Sequence, residues 1–182
     1  MKRNVWVFGG ISAVLLTIWL IIGIGFCYNG TAPDYEGSMV MGYASMVLAF
    51  SLVFVGVKNY RDKFNGGVVT FGKAFTMALY MVLIASATYV IVWLIEYYFF
   101  IPDFMDKYTT HCIARIKSSS DTAAEQATAI ADINNMKELY KSPIMVVLFT
   151  FMEVFPVGLV VALITAAILQ RKTPKTDSTL AA

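Results

Sequence analysis

A single histidine, His111, and two cysteines, Cys27 and Cys112, are the only imidazole and thiol metal ligands that 182 residues offer. One histidine excludes a His-based cluster within one subunit, and two cysteines neither form a disulfide framework nor have the spacing of a zinc site. No metal or other cofactor is expected. Charge is scarce too. Only 14% of residues are charged and the net charge is +2, so no basic field points to nucleic acid as a partner. The chain has no HExxH, no GxSxG and no clustered carboxylate motif, which removes the usual signatures of zinc and serine hydrolases. What it has in quantity is apolar surface: 58% of residues are hydrophobic, more than a soluble domain of this length can hide.

That surface is gathered into four runs, about 5–28, 39–57, 75–100 and 144–169. Each is long enough as a helix to cross a hydrocarbon core of about 30 Å. The first follows Lys2 and Arg3, and its apolar length exceeds the roughly 7 to 15 residues of a signal-peptide core, so it reads as a retained helix. The first connection, Asn29 to Ser38, carries Asp34 and Glu36 without Lys or Arg; its Asn-Gly-Thr sequon reads as an ordinary turn. The second connection carries Lys58, Arg61, Lys63 and Lys73 against Asp62. By the positive-inside rule this puts both termini in the cytoplasm, the tail with Arg171, Lys172 and Lys175 among them. Gly66 and Gly67 mark a turn, and Thr70 is placed to cap the helix that follows.

Small residues on one helical face let neighbouring backbones approach. Gly42, Ala49 and Gly56 recur every seven residues in the second run, Ala74, Ala78 and Ala85 form a small face in the third, and Gly158, Ala162 and Ala166 mark the fourth. Between the third and fourth runs, residues 102–142 read as two amphipathic helices forming an outer hairpin. Phe104, Tyr108, Cys112 and Ile116 lie on one face, and Ala127, Ile130, Ile133 and Met136 follow a capping box at Thr122 and Glu125. His111 beside Cys112 is a pair rather than a site. A Cys27–Cys112 bond is topologically allowed but weakly supported.

The fourth run holds one ionisable group, Glu153. A carboxylate at such depth costs roughly 2.5 to 3.5 kcal/mol on insertion scales and is normally turned inward, so a partner is expected. No Lys or Arg lies inside the four runs, and Thr17, Ser45, Thr88 and Tyr89 should share its depth. The expectation is a largely protonated Glu153 hydrogen-bonded to Tyr89 or Ser45. Gly158, Ala162 and Ala166 point about 140 to 220° away from it, so both faces of this helix look committed. Glu96, at the end of the third run among Trp93, Tyr97 and Tyr98, counts to the outer interface and is expected to reach water.

The runs YRDKFNGGVVTFGKAF (60–75) and MKELYKSPIMVVLFTFMEVFPVGLVVALITAAILQRK (136–172) resemble the domain of unknown function 4199 family. The shared features are a double-glycine loop entering a phenylalanine-bearing helix, then Glu153, Pro156 and Gly158. The resemblance implies a small bacterial inner-membrane protein with four helices, and carries no activity. The whole reading is one all-α integral membrane domain, 1–182, in contact with the lipid bilayer and with a homo-oligomer or membrane-protein partner. Its expected role is non-enzymatic, as an accessory or scaffolding subunit, the alternative being a proton- or ion-coupled carrier or channel acting as a homo-oligomer through Glu153.

Overall fold

The computed structural model describes residues 1–29 and 35–171. Residues 30–34 of the first connection, the Cys27 side chain, and the tail with Lys172 and Lys175 lie outside the described residues, while the end of that connection, from Tyr35, belongs to the second helix. The fold is all-helical. The helices are α1 (Lys2–Asn29), α2 (Tyr35–Phe64), α3 (Phe71–Ile95) continued by a π-helical turn (Glu96–Phe100), α4 (Phe104–Ser118), α5 (Ala123–Leu139) and α6 (Pro143–Leu169). Four helical spans, Lys2–Gly25, Met39–Phe64, Phe71–Phe100 and Pro143–Leu169, are long and apolar enough to cross a membrane. α2 runs seven residues past the apolar stretch read from the sequence, because nothing in Lys58–Phe64 breaks a helix; it stops at Gly66 and Gly67, whose φ values are +63° and +79°.

The chain divides into two compact units, one made of Met1–Tyr89 and the part from Val154 onward, the other of Val90–Glu153. In the first unit, α1 and α2 pack closely through polar groups set in apolar helices. Ser12 Oγ donates to the Ala49 carbonyl at 3.0 Å and Asn4 Nδ2 to the Gly56 carbonyl at 3.3 Å. Of the small residues expected to face neighbouring helices, Ala49, Ala74, Ala78, Ala85, Ala162 and Ala166 are all fully buried. Gly56 lets Phe8 approach so closely that a Cβ there would stand 2.8 Å from the Phe8 Cβ. Gly42, by contrast, faces open space.

One end of this unit is closed by a small clasp. The Asn65 amide donates to the Val68 carbonyl at 2.6 Å and its oxygen accepts from Tyr60 and Lys73, each at 3.0 Å. The Lys73 ammonium also lies 5.1 Å above the Tyr60 ring. Thr70 accepts from the Lys73 amide at 3.4 Å, the expected cap. Val69 and Arg171 exchange backbone hydrogen bonds at 3.2 and 2.8 Å, and buried Arg61, paired with Asp62 at 2.6 Å, reaches the Leu169 carbonyl at 3.4 Å. A cation near the last carbonyls of a helix is favourable. Together with the Asn4–Gly56 contact, the clasp brings the segments bearing Lys2, Arg3, Arg61, Lys63, Lys73 and Arg171 to one end.

In the second unit, α4 and α5 pair through an ion pair between Lys137 and Asp106 at 2.6 Å. The stripe Phe104, Tyr108, Cys112, Ile116 is half-buried throughout, as are Ile130, Ile133 and Met136 opposite. Cys112 is a free thiol, and the bond to Cys27 considered from the sequence involves a side chain outside the described residues. The capping box at the start of α5 is complete: Glu125 accepts from the Thr122 amide at 2.9 Å and hydroxyl at 2.7 Å, which holds its carboxyl below its ordinary value of 4.5. A depressed carboxylate contributes stability that is present above the unfolded value and lost as pH falls through the folded one. The protection of the Glu125 and Gln126 amides, taken relative to the intrinsic exchange rate at each pH, should therefore fall as pH is lowered from about 6 to 3. A Thr122→Ala chain should lack that step, and an equal step in both would remove the capping box as its cause.

Candidate functional site

Two intramembrane carboxyls, Glu96 and Glu153, both fall in the second unit, and each departs from its expected surroundings. Glu96 opens the π-helical turn, the wide turn that recurs where helices carry functional groups. It is 8% exposed, and its Oε2 is buried without a hydrogen-bond partner. The expectation of a solvated Glu96 fails because counting helical rise gives depth along an axis and says nothing of what packs around it. The turn leads into α4 through the Ile101 amide, which donates to the Glu96 carbonyl at 2.9 Å, and Ile101 and Met105 are themselves buried.

Beside this turn, aromatic rings form a continuous cluster. Trp93 meets Phe104 edge-on at 5.2 Å, Tyr97 lies 6.1 Å from Tyr140, and Tyr140 stacks on Phe149 at 5.5 Å and 5°. Tyr97, Met105 and Val146 are its buried centre. Tyr140, at the entry to α6, has its phenol pushed up to about 12, first by burial, then by the charge of Glu153, then by Tyr97 and Tyr108. It is a neutral donor at any ordinary pH.

Glu153 itself is exposed. Its helix buries Val146 and Thr150 before it, and Val154, Gly158, Ala162, Thr165, Ala166 and Leu169 after it. The small face found from the sequence is thus the buried one, and Glu153 stands on the other side, as its angle to Gly158 and Ala162 requires. A Cβ on Gly158 would fall against Val82 Cγ1 and 2.9 Å from Phe50 Cζ. Around Glu153 the exposed residues of α6 are apolar: Met152, Pro156 and Val160. The Ser45 hydroxyl donates to the Gly42 carbonyl of its own helix at 2.6 Å. Thr88 likewise donates to the Ile84 carbonyl at 2.9 Å. A hydroxyl one turn along a helix finds its own backbone first. Tyr89 is buried.

Three polar residues that shape the apolar helices were not singled out from the sequence. Asn4 and Ser12 hold α1 to α2, and Ser86 in α3 is fully buried with its Oγ unpartnered. Their signal was available, since each is a polar residue inside or at the edge of a run with few others. Among the described residues no group of three His, Cys, Asp or Glu side chains is arranged to hold a metal ion. Residues 7–171 match the family described as Protein of unknown function (DUF4199). No curated protein and no solved structure matches the chain.

Proposed function

The chain belongs to the DUF4199 family, proteins of unknown function, and we propose that it acts as a non-enzymatic subunit of a larger membrane assembly, joined to it through the Glu153 face of α6. The observation that carries this is an exposed carboxyl on an otherwise apolar helical surface. Left against hydrocarbon, that group costs roughly 2.5 to 3.5 kcal/mol, a penalty that a second protein surface with a hydrogen-bond donor removes. The clustering of basic segments at the clasp supports a cytoplasmic position for that end and for both termini, in a bacterial inner membrane.

The test is the size of the particle extracted in mild detergent. Glu153→Leu should shift it to the mass of the single chain while the protein stays helical, and an unchanged mass would overturn the assembly reading. One observation favours a second reading, a proton- or ion-coupled carrier or channel acting as a homo-oligomer through Glu153. Glu96 is buried with its Oε2 unpartnered, and intramembrane carboxyls of that kind mark relays. Liposomes holding the wild type and Glu153→Gln separate the two: flux lost in a folded variant selects the carrier.

A further inference from the structure

We infer that the π-helical turn closing the third span is a binding site for a primary ammonium group, held by Glu96 against the aromatic cluster. The inference uses Glu96 and not Glu153, so it stands or falls apart from the assembly reading.

Glu96 is more than nine-tenths buried, and its Oε2 has no hydrogen-bond partner. No cationic side chain among the described residues is near enough to act on it. An ionised carboxylate only accepts, so what complements it is a donor that carries positive charge. The neighbouring rings say which. Trp93, three residues before Glu96, is its neighbour on the helix surface, and the Trp93 ring packs on Tyr97 at 6.1 Å and on Phe104 at 5.2 Å. Ring faces attract ammonium groups. They supply none of the roughly six oxygens that a hard divalent cation takes, and among the described residues no three His, Cys, Asp or Glu side chains gather for a metal. One carboxylate beside aromatic faces suits a compact ion with three N–H donors.

Position narrows the source. Glu96 stands four residues before the end of the span Phe71–Phe100, about 6 Å by helical rise, at the level of lipid headgroups. Phe99 and Phe100 of the same turn are exposed, so the turn reaches the surface that borders lipid. An ethanolamine headgroup and a free alkylamine present the same ammonium group there.

The test is thermal melting of the full chain in nanodiscs of phosphatidylcholine with ethylamine hydrochloride, against sodium chloride and tetramethylammonium chloride at equal ionic strength. Ethylammonium should raise the melting temperature by about 3 to 6 °C at a tenfold excess over its Kd. The other two cations carry no N–H and should not. Glu96→Gln and Glu96→Leu should both lose the rise, a cooperative melt in each showing that it is folded. Asp132→Asn, which removes an exposed carboxylate from α5, should keep it. Nanodiscs of phosphatidylethanolamine separate the sources. A wild type that melts higher there, by a margin missing in Glu96→Gln, and that no longer responds to ethylamine takes the headgroup. Equal melting in both lipids, with the response kept, selects a soluble amine. No rise with ethylammonium in phosphatidylcholine, or an equal rise with sodium, with tetramethylammonium or in Glu96→Gln, would overturn the site.

Discussion

Gly158→Leu should prevent α6 from seating in the bundle, the largest loss of stability expected of any single substitution here. A first added carbon would already collide with Val82 and Phe50, and both are fully buried, as are Val154 and Ala162 on the same stripe. Neighbours packed on all sides do not retreat, and three further carbons have nowhere to go. Overpacking of a filled core costs about 1 to 3 kcal/mol for modest additions and more for larger ones, so alanine should fall in that range and leucine beyond it. Gly56→Leu should behave in the same way through Phe8. Thermal melting followed by size-exclusion fluorescence reads this directly. A Gly158→Leu protein melting with the wild type would mean that α6 does not pack on that face. Gly42→Leu is the matched control, since nothing lies near it, and should be almost silent.

Glu96→Leu should move stability the other way. A buried polar group without a partner carries a penalty of about 1 to 3 kcal/mol, and leucine removes the polar atoms while filling similar volume among apolar and aromatic neighbours. The melting temperature should rise, with Glu96→Gln giving a smaller change, because an amide in that place is still polar. A fall in stability for Glu96→Leu would show that the carboxyl has a partner that stabilises it, such as an ordered water or a bound cation. A rise would identify a position where the chain forgoes stability, which is where function is to be sought, and would make the liposome comparison worth repeating with Glu96→Gln.

The two carboxyls also show where reading the sequence ran short. Length and hydropathy located four spans because a helix in lipid must satisfy its backbone internally and be apolar for some twenty residues. The capping box, the double-glycine turn and the Thr70 cap were legible because each is set by neighbours within a few positions. Ala162 and Gly158 were legible as a buried stripe through helical angle alone. Glu96 was not, since its burial depends on tertiary packing around the π-helical turn, which leaves no periodic signal. Depth alone put Ser45 level with Glu153, whereas a nearby carbonyl on its own helix takes the serine proton at no cost in chain ordering. Asn4 and Ser12 carry no charge, and a polar residue in an apolar run does not by itself say which helix it holds, so nothing local marks them as the groups that join α1 to α2.

The clasp bears on how the protein is made. Arg61 and the Leu169 carbonyl it approaches are 108 positions apart, and Val69 waits for Arg171 over a similar interval. A ribosome delivers the chain from its amino end, so the loop after α2 is synthesised, and its neighbouring helices inserted, well before its fastening exists. Until α6 arrives, Arg61 has Asp62 but lacks the helix end it caps. Closure of this bundle therefore waits for a latch: α6, made long after α2, fastens a loop formed early, and a chain stalled before residue 169 leaves Arg61 without the carbonyl it reaches.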